Sequence, residues 1–140
     1  MNKKLVAGLL VIGLTGCGGV SKEDFIAEAD KICASQAKQL DTKEPQTMQD
    51  LEQTANRNLP ILNDTVRKLD KIEPPKELET KFDKFLANTR LRASVTKQVG
   101  AAAGEQNLQK IQELAATSTK GRADGQQLGK DVGFKSCGQG

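Results

Sequence analysis

Histidine, tryptophan and tyrosine are all missing from this 140-residue chain, whose aromatic side chains are four phenylalanines. Without histidine the commonest general base and metal ligand is gone, and Ser-His-Asp or Cys-His mechanisms are excluded. Without tryptophan and tyrosine there is little for a nucleic-acid base to stack on, and the aromatic platforms common in sugar clefts are absent. Carboxylate chemistry is what remains. Glu77, Glu79 and Asp83 lie close together, but acidic and basic residues interleave around them, which is the pattern of an exposed helix face. Nor does Gly16-Cys17-Gly18-Gly19 form a phosphate-binding loop, because the Lys and Ser/Thr that should follow are not there. The chain is expected to be no enzyme, with no catalytic residue and no cofactor.

Long apolar runs are also lacking. The longest, Leu5 to Leu14, is about 10 residues, roughly 15 Å as a helix against a bilayer core of about 30 Å. It is too short to span comfortably. No segment alternates Val, Ile or Thr as a strand would, and no internal repeat, low-complexity tract or change of composition marks a second domain.

What is present begins at the amino terminus. Lys3 and Lys4 precede the apolar run, and Leu14-Thr15-Gly16-Cys17 ends it. A charged start, a short apolar region and small residues before a cleavage point are the parts of an export signal. The cysteine after the small pair makes the segment resemble a bacterial lipobox. That resemblance implies cleavage between Gly16 and Cys17, a diacylglyceryl group on the Cys17 thiol, and a mature protein held to the extracytoplasmic face of the cell membrane. A free cysteine at the end of an ordinary signal peptide or short anchor is the alternative. Residues 1–16 then read as a lipoprotein signal peptide, 17–20 as a short lipidated tether and 21–140 as one domain.

Processing alters the charge. The chain has 21 basic and 18 acidic side chains, but Lys3 and Lys4 leave with the signal, so 19 basic stand against 18 acidic in the remainder. The basic balance largely disappears, and nucleic acid is not expected as a partner. Arg67, Lys68, Lys71 and Lys76 come nearest to a basic patch. Asp64, Asp70, Glu73 and Glu77 are interleaved with them, as on a solvated helix face, with Asp64–Lys68 and Glu77–Lys81 spaced for pairing.

If Cys17 carries lipid, Cys33 and Cys137 remain as an even pair in an oxidising compartment, read here as a disulfide, with two buried thiols as the alternative. In the chain-entropy model a loop of about 100 residues is worth up to ~4.7 kcal/mol. Two cysteines without histidine fall short of the four ligands of a structural zinc site, so no metal is expected.

The rest of the chain is rich in helix-forming residues. Ser21 and Asp24 can cap a first helix that carries Phe25, Ala29, Ile32, Gln36 and Leu40 on one face with Cys33 beside it, Val20 and Phe25 standing at staple positions. It should end near Asp41. Thr47 and Asp50 offer the next cap, and Met48, Leu51, Ala55, Leu59, Leu62, Val66, Leu69 and Ile72 follow at spacings of three and four. Pro60 should kink that helix near residues 56–60 or divide it in two. Pro75 suits the first position of a third helix with Leu78, Phe82, Phe85, Leu86, Thr89, Ala93, Thr96, Val99 and Ala103 as its stripe and Gly104 as its carboxyl cap. A fourth runs from about Glu105 through Leu108, Ile111, Leu114, Ala115 and Ser118 towards Leu128 and Val132. In it Gly121, Gly125, Gly129 and Gly133 recur every four residues. Because an interior glycine costs about 1 kcal/mol relative to alanine, that stripe reads either as a close-packing face or as a weak helix around residues 120–126. Dimerisation through the same face is less favoured, since the motif's association value belongs to membrane helices.

These elements predict an all-α, up-and-down bundle of four helices. The early helix cysteine, the Pro74-Pro75 hinge before a Phe-rich helix, and a last helix closing on Leu128-Gly129 and Cys137-Gly138 make the chain similar to small helical lipoproteins of Gram-positive bacteria. That resemblance implies a fold and an address and no activity. The function expected is a membrane-anchored, non-catalytic interaction or structural module of the cell envelope, whose partners are the bilayer, through acylated Cys17, and another envelope protein or the cell wall. The alternative is a small-molecule-binding lipoprotein with a pocket between its helices, near the Ala-rich half of the third helix and the glycine stripe.

Overall fold

Four helices follow one another in the computed structural model, which describes residues 19–139. They are α1 (Lys22–Gln39), α2 (Met48–Leu69), α3 (Glu79–Gly104) and α4 (Leu108–Val132). Consecutive helices run antiparallel. Ala55 and Glu52 of α2 lie against Gly100 and Gly104 of α3, while Arg92 and Asn88 of α3 lie against Gly121 and Gly125 of α4. The protein is therefore an all-α bundle, with α3 in the middle.

Local chemistry sets most helix ends. Ser21 caps α1 by accepting the Asp24 N–H at 3.1 Å, and its hydroxyl donates to the Asp24 carboxylate at 2.7 Å. Val20 remains 46% exposed, so Phe25 is buried by the rest of the bundle and not by a staple. Thr47 and Asp50 form a full capping box, with bonds of 3.0 and 3.1 Å. Pro60 does not divide α2, which is continuous through it. The proline is exposed, and so is Asn56, whose carbonyl loses its intrahelical donor, so water can serve that carbonyl.

Two expected boundaries move. Pro75 does not open α3. The Leu78 N–H bonds the Pro75 carbonyl at 2.8 Å in a turn, and Leu78 takes the N-cap position without a side-chain cap. Leu78 is 3% exposed, and burying a leucine is worth about 1.5–3 kcal/mol against roughly 1 kcal/mol for a polar cap, so burial wins. Gly104 is likewise the last helical residue and not the left-handed cap. Gln106 takes that conformation at φ 54°, and the Asn107 and Gln106 N–H groups close onto Ala102 and Ala103.

All four phenylalanines meet at the α1-starting end of the bundle. Phe25 stands edge-on to Phe82 at 5.0 Å between ring centroids, and Phe134 lies 5.1 Å from Phe85. Leu69, Leu78, Leu86 and Val132 complete this core with the two described cysteines. The opposite end is lighter, built on Val95, Ala102 and Leu114 with Val99 and Ile111 beside them.

Beyond α4 the chain turns back. Gly133 caps the helix at φ 101°, the Phe134 N–H bonds the Gly129 carbonyl at 2.9 Å, and residues 134–139 return along α4. Three consecutive backbone N–H groups, of Lys135, Ser136 and Cys137, donate to the Asp30 carboxylate at 2.7–3.1 Å. This return brings Cys137 to Cys33 with a Cα separation of 5.1 Å, and the two are disulfide-bonded. Among the described residues, no helix is long and apolar enough to cross a membrane.

Candidate functional site

The groove of interest exists because α1 is too short for the bundle it joins. At about 1.5 Å per residue its 18 residues extend roughly 27 Å, against about 39 Å for the 26 of α3. The chain leaves α1 halfway along α2. There Asn58 grips the backbone of Asp41 twice, accepting its N–H at 2.8 Å and donating to its carbonyl at 3.0 Å. Arg57 holds the Asp41 carboxylate at 2.7 Å. Past this clamp the connection from Thr42 to Gln46 is exposed, and α1, which ends at Gln39, does not continue beside α2, α3 and α4.

Two clefts flank that point. One, of about 360 Å³, is lined by the apolar Leu40, Leu62, Leu91 and Val95 and by the polar Thr42, Asn58, Thr96, Thr117 and Ser118, drawn from all of its walls; Asp41, Gly121, Arg92 and Arg122 complete it. The other, of about 410 Å³, opens between α1 and the returning tail, from Cys33, Ala37, Leu69 and Phe85 to Ser136, Gly138 and Gln139. Leu40 and Arg92 line both. Arg92 is the hinge of the site: its Cγ lies in the notch left by Gly121, and its Nη1 beside Gly125.

Burial, and then the charge of Arg122, hold the Arg92 pKa below the ordinary arginine value, which still leaves it cationic at neutral pH. Among the described residues, Asp41 is the one acidic residue lining either cleft, and Lys38 adds a further cation to the second. The backbone N–H of Lys43 and then the Arg57 guanidinium hold the Asp41 carboxyl below its ordinary 3.8. It stays ionised and already partnered.

Of the residues singled out by sequence, Gly16 and Cys17, with Leu14 and Thr15, lie outside the described residues. Cys33 and Cys137 are joined, and Cys33 lines the second cleft. Glu77, Glu79 and Asp83 are exposed at the start of α3 and line neither cleft. Asp64 pairs with Lys68 at 2.7 Å and also with Arg67, as on a solvated face, whereas no ion pair among the described residues joins Glu77 to Lys81. Among the same residues no group of three His, Cys, Asp or Glu is gathered as a metal ion would require.

The glycine stripe resolves into separate tasks on an unbroken helix. A Cβ at Gly125 would stand 2.7 Å from Asn88 Oδ1, one at Gly129 would stand 2.5 Å from the Cys137 carbonyl oxygen, and Gly133 supplies the positive φ that ends the helix. Gly100 and Gly104 do the same for α2 against α3, with Ala55 Cβ 3.1 Å from the Gly100 position. Sequence reading did not single out Arg92. The signal that could have found it is the stripe itself, since glycine on one helix calls for something bulky on its neighbour, and Asn88, Arg92 and Thr96 are spaced by four on α3. Comparison with family models, with curated proteins and with solved structures finds no match for this chain.

Proposed function

We propose that the chain is a lipid-anchored protein of the extracytoplasmic face of the cell membrane, whose helical domain is a non-catalytic interaction or structural module. The observation that carries this reading is Leu14-Thr15-Gly16-Cys17 behind Lys3, Lys4 and a ten-residue apolar run. The N-cap at Ser21 supports it, because a folded domain then begins directly after the lipobox. Only Gly18, Gly19 and Val20 separate Cys17 from that cap, a reach of about 10 Å fully extended. Such a tether holds the Phe-rich end of the bundle near the bilayer and turns the clefts towards whatever lies beyond. The absence of histidine and tyrosine, together with an Asp41 already committed to Arg57, supports binding over catalysis.

Labelling with radioactive palmitate tests the anchor. The wild-type protein should take up label and the Cys17→Ser variant should not. Unlabelled wild type, or label retained by the variant, would remove the reading.

A second reading, small-molecule binding between the helices, is favoured by the clefts. Volumes of about 360 and 410 Å³ fall within the usual ~300–1,000 Å³ of ligand sites. The first lies where the later half of α3 meets Gly121.

A further inference from the structure

The bond between Cys33 and Cys137 is not alone in placing one sulfur beside the other. Asp30 stands three residues before Cys33 on α1, about one turn, so the carboxylate and the sulfur share a helix face. That carboxylate accepts the N–H groups of Lys135, Ser136 and Cys137 at 2.7–3.1 Å, so it grips the residue whose sulfur must reach Cys33. Successive N–H groups converging on one anion make a concave acceptor site, and a charged acceptor roughly doubles the strength of each bond. Both ends of the triplet are held too. Phe134 is buried among Phe25, Phe82 and Phe85, and Gly138, at φ 89°, lies close against the backbone of Gly125 and Gln126. None of these contacts passes through sulfur. The Ala29 carbonyl oxygen lies 3.3 Å from the Cys137 sulfur, placed to accept a weak bond from the thiol once it is reduced.

We propose that the returning tail is a latch that closes on α1 with the cysteines still reduced, and that Asp30 is its positioning residue, presenting the Cys137 thiol to Cys33. The disulfide is then a lock made on a folded chain. It forms by exchange with an external disulfide: one cysteine thiolate attacks that disulfide and releases an external thiol, and the other attacks the resulting mixed disulfide and expels the second. Two electrons pass to the external disulfide, and the protons lost by the two cysteines go to the released thiols. Ser136, Gly138 and Gln139 line the second cleft together with Cys33, so the latch shapes that cleft and the lock fixes it. The stabilisation from the bond still acts on the unfolded chain, whose loop it closes.

The test uses the full chain purified from membranes in detergent, as wild type, Asp30→Ala, Asp30→Asn and the control Asp83→Asn at an exposed residue of α3. Helical circular dichroism of each reduced protein checks that the bundle is folded. In excess reductant, hydrogen exchange at the amides of residues 135–137 should be at least about tenfold slower in the wild type than in the unfolded chain, a protection that Asp30→Ala loses. In glutathione buffers, alkylation and mass spectrometry of the Cys33 and Cys137 peptides give the effective concentration of one thiol at the other. Asp30→Ala should lower it at least about fivefold, Asp30→Asn, which keeps an acceptor oxygen without the charge, by less, and Asp83→Asn not at all. A residue that merely stabilises α1 does so in both redox forms alike and leaves this equilibrium where it is. Unprotected amides in the reduced wild type would overturn the latch, and a drop of less than about fivefold in Asp30→Ala would overturn the role of Asp30. Should Asp30→Ala fail to fold, Asp30→Asn carries the comparison, and wild-type behaviour in both readouts overturns that role.

Discussion

Replacing single glycines of α4 by alanine should change stability with opposite signs at positions one or two turns apart. At Gly121 the added methyl meets only Arg92 Cγ, at 3.6 Å, an ordinary van der Waals distance. Nothing opposes the gain in helix propensity, so Gly121→Ala should stabilise the protein by about 0.5–1 kcal/mol. At Gly129 the methyl would stand 2.5 Å from the Cys137 carbonyl oxygen and 3.3 Å from its carbon. That backbone cannot retreat easily, because the Cys137 N–H is bonded to Asp30 at 3.1 Å and its sulfur to Cys33. Overpacking costs about 1–3 kcal/mol, and against a tethered backbone oxygen the upper part of that range, ~2–3, applies; less a propensity gain of roughly 1, Gly129→Ala should be destabilised by about 1–2 kcal/mol. Gly125→Ala should fall between the two, since its obstacle at 2.7 Å is the side-chain oxygen of buried Asn88, which can move at some cost. Urea unfolding of the oxidised proteins, followed by helical circular dichroism, measures all three. A Gly129→Ala protein as stable as the wild type, or a Gly121→Ala protein destabilised by more than about 1 kcal/mol, would refute the assignment of the stripe to the returning tail.

Other consequences follow from the same contacts. Replacing Cys33 and Cys137 together by alanine opens a loop spanning 104 residues and should lower stability by about 2–5 kcal/mol, measured by the same unfolding; a loss below 1 would mean that the tail is held by other contacts. Asp30→Ala leaves three backbone N–H groups without their acceptor and should cost about 1–3 kcal/mol, with faster hydrogen exchange at residues 135–137 as its local signature. Asp41 and Asp64 are held below the ordinary 3.8, Asp41 chiefly by the Lys43 N–H and Asp64 chiefly by Lys68. Their stabilisation is complete above pH 3.8 and is lost as pH falls through the lower folded values, so the Asp41→Asn, Asp64→Asn double variant should show a shallower acid-side decline in unfolding midpoint. An unchanged acid slope would show that these pairs contribute nothing.

The helices were legible in the sequence because their signals are local. Ser21 with Asp24 and Thr47 with Asp50 mark two starts, and stripes spaced by three and four mark the faces. Pairing Cys33 with Cys137 was legible by elimination once Cys17 was assigned to lipid. The central helix was less legible. A single stripe was expected on α3, yet it buries one face against α2 and another against α4, so Asn88, Val95, Gly100 and Ala102 are buried as well. Those positions are set by neighbours and leave no period of their own. The clefts were hidden for a similar reason. They arise from the clamp of Asn58 and Arg57 on Asp41, which stops α1 short, and from a tail that doubles back at Gly133. Neither a helix-length mismatch nor a long-range return is written in any short window of residues.

The glycines, the tail and the disulfide form one device. Gly129 lets the Cys137 backbone approach α4, Asp30 gathers the N–H groups of that backbone, and the bond to Cys33 ties it to α1. No pair of helices α1 and α4 needs to pack directly, because the tail lies between them. The same gap leaves room for Arg92 to line both clefts.

Intact mass spectrometry of the protein taken from native membranes, before and after reduction, tests the central claim most directly. The account predicts a chain beginning at Cys17 with a diacylglyceryl addition, gaining the mass of two hydrogens on reduction as the Cys33–Cys137 bond opens. A chain that retains residues 1–16, an unmodified Cys17, or a mass unchanged by reduction would contradict it.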